Sequence, residues 1–337
     1  MTLEQRRQLV DTRQMWDGWD AARERLIRHQ GSMAWRTAGG YDYLARIDGP
    51  AHRRRTRSLG RRSPDTERAY SDFIEGKQQA REAVQRIAKR LEGIARVNRA
   101  LRLARVPLPA AKIMRVLHQR GVLGRNVVVV GTNAIYAYEA AAGVFVASDL
   151  LATGDLDILL DARRKLRLRG NEEPPALLDM LKDADRSFAL VGTRGFRAVN
   201  RDGYQVDLIK PTPKDVMVSA EPDSIGGDED LQAAHISNMR WIANAPKFAA
   251  MAVGEDGMPV PMACPDPRAF ALYKLWMGTQ DRTRDPLKRA RDVKQAHAVA
   301  GIVNDHYPLL QFEPEHLACF PKRAADLGAA ADFFRLD

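Results

Sequence analysis

The sequence predicts an α/β (α+β) fold in which a mixed-sheet domain follows a basic N-terminal module of small sheet and helices and precedes a helical C-terminal region. Three observations carry this expectation. Residues 126–130, NVVVV, run at once into Gly131-Thr132-Asn133 and the alanine-rich AIYAYEAAA, which reads as a buried strand, a tight turn and a helix. TGDLDILLD, residues 153–161, is a second apolar run of strand length. FRAVNRDGYQVDLIKP places Asp202-Gly203 where a hairpin would turn.

The remaining elements follow in chain order. Residues 2–28 predict a helix: Thr2 and Gln5 have capping-box spacing, and Leu3, Leu9, Val10, Trp16, Trp19, Leu26 and Ile27 fall near one face. From Trp35 to Leu59 the phrases GGYDYLARIDG and HRRRTRSLG predict a hairpin or small sheet turning at Asp48-Gly49-Pro50. Ser63-Pro64-Asp65 opens a second helix, expected to run to about Arg105, where Val106-Pro107-Leu108-Pro109 breaks the pattern. A short helix to Gln119 then leads through Gly121 and Gly124 into the strand at 126–130. Beyond the glycine turn, strands are expected near Val144–Val146 and at the TGDLDILLD motif, with a helix around residues 175–187. The acidic EPDSIGGDED, residues 221–230, reads as a mobile loop, and KFAAMAVGEDGMPVPMACP as another hairpin. Asp266-Pro267 and Asp285-Pro286 each place a capping acid before a first-turn proline and open the closing helices. The expected domains are 1–105, 106–265 and 266–337.

Composition narrows the function classes. The 337 residues are 45% hydrophobic and 28% charged, ordinary for a globular chain, but the formal net charge of +10 favours phosphate-bearing partners, nucleic acid first. Cys264 and Cys319 lie far apart with no CxxC, so neither a disulfide framework nor a zinc site is expected, and a reduced cytoplasmic setting fits. No apolar run approaches the roughly 20 residues of a membrane span, and MTLEQRRQLVDTRQMW lacks the apolar core of a signal peptide. No membrane partner is expected.

Asp155 and Asp157 carry the chemistry. On a strand, residues i and i+2 share a face with Cα atoms roughly 6.5 to 7 Å apart, so both carboxylates project together. Their repulsion and desolvation call for a divalent cation, and hard oxygen donors on a strand suit Mg²⁺ or Mn²⁺, completed by substrate phosphates. If the strand of Asp207 lies alongside, a third acid reaches the cluster, as two-metal phosphoryl or nucleotidyl transfer requires. Gly131 lets backbone approach a phosphate closely, the following helix start offers free amides, and Thr132 adds a hydroxyl.

VVVVGTNAIYAYEAAAGV, LLATGDLDILLD and GYQVDLI resemble the nucleotidyltransferase domain of the DNA polymerase β superfamily, and more narrowly a bacterial family of that fold. LARVP, LGRNVVVVGTNA, DPRAFALYKL and KRARDVKQA extend the likeness over about residues 36–300. The resemblance implies transfer of a nucleoside monophosphate from an NTP to an acceptor, releasing pyrophosphate. It implies Asp155, Asp157 and Asp207 as catalytic metal ligands, with Gly131 and Thr132 on the nucleotide. Threonine stands where serine is commoner, and the gap from Thr132 to Asp155 is long for the superfamily, which an inserted strand would explain.

Several residues keep two readings. Asn133 is a helix cap or a nucleotide contact, and Lys274 is a triphosphate ligand or a solvent-facing lysine. Asp161 is the rival third acid, although its place beside ARRK looks like a strand end. RDVKQAH, residues 291–297, imitates the R-x-x-x-x-x-H pattern of a helical RNase family, but Asp292 reads better as a partner of Lys288 or Arg289. Arg53, Arg54, Arg55, Arg57, Arg61 and Arg62, with Tyr41 and Tyr43 upstream, form a candidate nucleic-acid platform or a solvated charged face. The acceptor expected from the basic charge is RNA, for example a tRNA end. The reading from another class is a catalytically degenerate nucleic-acid-binding or toxin-antitoxin partner protein.

Overall fold

A computed structural model describes residues 1–49, 54–151, 153–161, 176–192, 195–213, 223–226, 229–310, 312, 322, 326 and 327. Contacts divide the chain between residues 9 and 10 and between 100 and 101: Val10–Ala100 is one compact unit, and Met1–Leu9 with Leu101–Asp337 the other. The boundaries expected from sequence lay at 105/106 and 265/266.

Helix α1, Leu3–Arg28, begins with the anticipated capping box, Thr2 N donating to Gln5 Oε1 at 2.8 Å and Gln5 N to Thr2 Oγ1 at 3.2 Å. In the Val10–Ala100 unit, strands β1 (Ser32–Ala38), β2 (Tyr41–Asp48) and β3 (Arg55–Arg61) form an antiparallel sheet, followed by the long helix α2, Pro64–Ala100. Ser63 Oγ accepts from Thr66 N at the start of α2, and the helix ends at Ala100, short of the expected Arg105. Trp16, Ala22, Leu44, Phe73, Ala80, Leu91 and Ala95 fill the core of this unit.

The larger unit is built on a mixed six-stranded sheet. Helix α3, Leu108–Gln119, leads into β4, Val127–Val130; a 3₁₀ turn at Thr132–Ala134 opens α4, Ile135–Ala142. Short helix α5 (Ser148–Leu151) precedes β5 (Asp155–Leu160), and α6 (Leu177–Ala184) precedes β6 (Ala189–Leu190), β7 (Arg197–Val199), β8 (Gln205–Pro211) and β9 (Ala234–Ile236). Spatial order is β4-β5-β8-β7-β6, with β9 also on β8; β5 and β9 run parallel to β8 and the other pairs are antiparallel. Short helix α7 (Arg240–Asn244), the hairpin β10 (Lys247–Val253) and β11 (Pro259–Pro265), and helices α8 (Pro267–Thr279) and α9 (Pro286–His306) complete the unit. Asp266 caps α8 and Asp285 caps α9, as their Asp-Pro signatures require. The fold is therefore mixed α/β.

One expectation is corrected. Residues 144–147 form no strand, so an inserted strand does not fill the gap between Thr132 and Asp155; α4, a loop and α5 do. The apolar run is held as a loop because buried Glu139 accepts from Val146 N at 2.9 Å and Arg105 donates to Val146 O at 2.6 Å. The acidic segment 221–230 forms neither helix nor strand where it is described, as expected of a loop. Asp230, 1% exposed, accepts from Leu177 N, Leu178 N and Gly226 N and anchors the start of α6; residues 221, 222, 227 and 228 lie outside the described residues.

Candidate active site

One row across the sheet assembles the acids. Val130 on β4 pairs with Asp157 on β5, Asp157 with Asp207 on β8, and Asp207 with Arg197 on β7. Residues opposite one another in a sheet share a face, so Asp157, Asp207 and Arg197 lie side by side, with Asp155 two residues along the same face. Gly131 follows directly on Val130 and therefore abuts Asp157. Its φ of 66° and ψ of −159° belong to a region open essentially to glycine, and a Cβ there would stand 2.3 Å from Asp157 Oδ2.

Gly131, Asp155, Asp157, Arg197 and Asp207 line a cavity of about 200 Å³ together with Thr132, Lys274, Arg284, Lys288 and Arg291. The structure thus brings Asp155, Asp157, Asp207, Gly131, Thr132 and Lys274 to one place. Asn133 is 1% exposed and outside the cavity lining; its side-chain amide donates to Asp155 O at 2.7 Å, so it buttresses the strand and caps no helix. Thr132, also buried, accepts from Gln295 Nε2 at 3.2 Å, which ties the glycine turn to α9. Asp161 lies past the end of β5 in an ion pair with Lys247, 3.1 Å.

Electrostatics distinguish the three acids. Burial pushes the Asp157 carboxyl up to about 6, and the negative charges of Asp155 and Asp207 push the same way against Lys274 and Arg284. Asp207 is held by a fork: Arg197 Nε and Nη2 each donate to one of its oxygens at 2.7 Å. Asp155 accepts from Thr153 Oγ1. Lys274 is not a solvent-facing lysine: it is 5% exposed, with Nζ 2.7 Å from Asp292 Oδ1, and burial pushes its pKa down while Asp292 opposes that shift. Asp292, completely buried, also accepts from Arg284 at 2.8 Å, which replaces the expected pairing with Lys288 or Arg289.

The donor set suits a hard divalent cation in part. Asp155 and Asp157 are hard oxygen donors on one face, and a divalent ion between them would relieve their mutual repulsion. Asp207 has both oxygens engaged by Arg197, and among the described residues no group of three His, Cys, Asp or Glu side chains is arranged to hold a metal.

Sequence reasoning missed Arg197, Arg284, Lys288 and Arg291. Hairpin arithmetic gives the first, since a turn centred on Asp202 sets Arg197 opposite Asp207. Helical spacing gives two others: Lys288, Arg291 and Gln295 recur at i, i+3 and i+7 after the Asp285-Pro286 cap, on the face that meets Thr132. Arg291 lines the cavity, whereas His297 is exposed, so the RNase-like pattern is not assembled there.

The candidate nucleic-acid residues occupy the other unit. Arg54, Arg55, Arg57, Arg61 and Arg62 are all exposed, while Arg53 lies outside the described residues. Arg62 is committed to Glu67 at 2.8 Å and Asp42 at 3.6 Å, whereas Arg61 lies over the Tyr41 ring at 4.1 Å.

A nucleotidyltransferase family model matches residues 109–315, from α3 to just beyond α9, and thus spans the whole cavity. Comparisons with curated proteins and with solved structures give no match. No described helix is long and apolar enough to cross a membrane.

Proposed function

Because the chain belongs to the nucleotidyltransferase family, we propose that it moves a nucleoside monophosphate from an NTP to an acceptor hydroxyl and releases pyrophosphate. The observation that carries this reading is the meeting of Asp155, Asp157 and Asp207 with the Gly131-Thr132 turn in one cavity. Kinship with the DNA polymerase β superfamily belongs to the same proposal and rests on the order glycine turn, paired acids, third acid.

In this reading Asp155, Asp157 and Asp207 hold Mg²⁺ or Mn²⁺. Bound there, the ions lower the pKa of the acceptor hydroxyl and stabilise charge on the leaving oxygen. The acceptor oxygen forms a bond to the α-phosphorus as the bond to the bridging oxygen breaks, the hydroxyl proton passing to solvent and the electron pair to pyrophosphate. Gly131 brings backbone close to the β and γ phosphates, and Thr132 offers its hydroxyl. Lys288 and Arg291, one helical turn apart on α9, face the same phosphates, while Lys274 and Arg284 contribute charge tempered by Asp292. Arg197 leaves Asp207 when a phosphate competes for its guanidinium.

RNA, such as a tRNA end, is the acceptor favoured by the basic Val10–Ala100 unit, and the cytoplasm is the compartment favoured by the sparse cysteines. The deciding measurement is Mg²⁺-dependent incorporation from each labelled NTP into total RNA, protein and small metabolites. Product with the wild type and none with Asp155→Ala or Asp157→Ala is expected. Product from the double variant refutes the site, and no product in any fraction favours the degenerate binding protein.

A further inference from the structure

We propose that one face of the β1–β2–β3 sheet, at its Gly39-Gly40 end, is a stacking platform for single-stranded nucleic acid, with Tyr41 as the base-stacking surface and Arg36 and Arg61 as phosphate contacts. It deepens the acceptor part of the preceding reading, but binding itself does not depend on that reading.

Charge is the first support. The Val10–Ala100 unit contains 20 Lys and Arg against 12 Asp and Glu, a net +8 of the chain's +10. The remaining residues carry 33 against 31 and are nearly neutral. A surplus gathered on one unit that does not contain the transfer cavity calls for a polyanionic partner there.

The sheet register then sorts this charge by face. Arg36, Tyr43 and Arg61 stand opposite one another on the three strands, and Tyr41 lies two residues from Tyr43 on the same face, roughly 7 Å along the strand. Tyr41 is 55% exposed, and Arg36 and Arg61 are exposed as well. The Arg61 guanidinium sits 4.1 Å from the Tyr41 ring centroid and 5.8 Å from that of Tyr43, and its Nε donates to the Tyr43 hydroxyl at 3.2 Å. One arginine therefore orients both rings and keeps further N–H groups for phosphate oxygens.

The opposite face is occupied by α2. Trp35 packs near Tyr70, Arg46 and Lys77 lie over Phe73, and Arg62 spans Trp35, Glu67 and Asp42. An exposed tyrosine braced by arginine matches a nucleobase with an accessible ring face, which a single strand offers and a duplex hides in its stack. An acidic protein would meet the arginines but has no use for the ring.

The test is fluorescence anisotropy of the full chain with a labelled 20-nucleotide oligouridine, a duplex of the same length, and polyglutamate as competitor. Tyr41→Ala is expected to weaken strand binding about tenfold with an unchanged thermal melt, and Tyr41→Phe to bind like wild type. Arg36→Ala with Arg61→Ala should reduce the log–log salt slope by about 1 to 2. Asp157→Asn should bind the strand unimpaired, and a wild-type chain that binds the strand but yields no transfer product counts against the transferase reading alone. Strand binding unaffected by Tyr41→Ala, equal or tighter binding of duplex, or displacement of the strand by equimolar polyglutamate overturns the platform.

Discussion

Gly131 and Asp157 are adjacent across β4 and β5, and each explains the other. The left-handed φ at Gly131 and the 2.3 Å approach a Cβ would make to Asp157 Oδ2 mean that any side chain there strains the turn and displaces the carboxylate. Gly131→Ala is expected to cost about 1 to 3 kcal/mol by urea denaturation and to abolish transfer. Asp157 behaves in the opposite sense. It binds its proton near pH 6 when folded and near pH 4 when unfolded, so the folded state holds more protons between these values. Stability of the ion-free protein from this group falls as pH rises through that window, and its full cost is present above about pH 6. Asp157→Asn removes the cost. The ion-free variant should be more stable than wild type at pH 7.5, by about 3 kcal/mol, with the difference gone below about pH 4; equal stability across that range would contradict a buried, repelled carboxylate. Both residues were legible because a glycine after four valines and acids at i and i+2 are local patterns. Arg197 was not, since its role arises only in the pairing of β7 with β8.

Among elements, α8 and α9 show where local reading stops. Their starts were plain in two Asp-Pro pairs, and both caps are made. Their joint was hidden: Lys274 from α8 and Arg284 from the connection converge on Asp292 in α9, a tertiary meeting that helical spacing within α9 had assigned to nearer lysine and arginine. Burial decides its weight. Asp292→Ala leaves Lys274 buried without its hydrogen-bonded carboxylate and is expected to destabilise the larger unit by about 3 to 5 kcal/mol, read as a lower urea midpoint. Lys288→Ala, an exposed residue at the cavity edge, should leave the midpoint within about 0.5 kcal/mol and instead raise KM for the nucleotide. The misplaced strand at 144–146 teaches the same lesson. Its apolar residues satisfied a strand pattern, but Glu139 and Arg105 had already claimed the backbone groups a sheet partner would need.

For the whole molecule, the net charge was readable as a number and not as a place. The +10 suggested a basic protein, whereas the structure separates a +8 unit from a nearly neutral one that contains the cavity. That separation bears on how an ion would load. In the nearly neutral unit, Arg197 acts as a resident counter-charge on Asp207, leaving Asp155 and Asp157 as the accessible oxygen pair. An ion that binds only the folded chain raises its stability by RT ln(1 + [ion]/Kd), about 2.7 kcal/mol at a hundredfold excess over Kd. Mg²⁺ or Mn²⁺ is therefore expected to raise the Tm of the wild type and to leave that of Asp155→Asn with Asp157→Asn unmoved. Arg197→Gln frees both oxygens of Asp207, so the same Tm rise should occur at lower ion concentration, and calorimetric titration should give a smaller Kd. A Kd unchanged or larger in Arg197→Gln would mean that Arg197 positions Asp207 for the ion and does not compete with it.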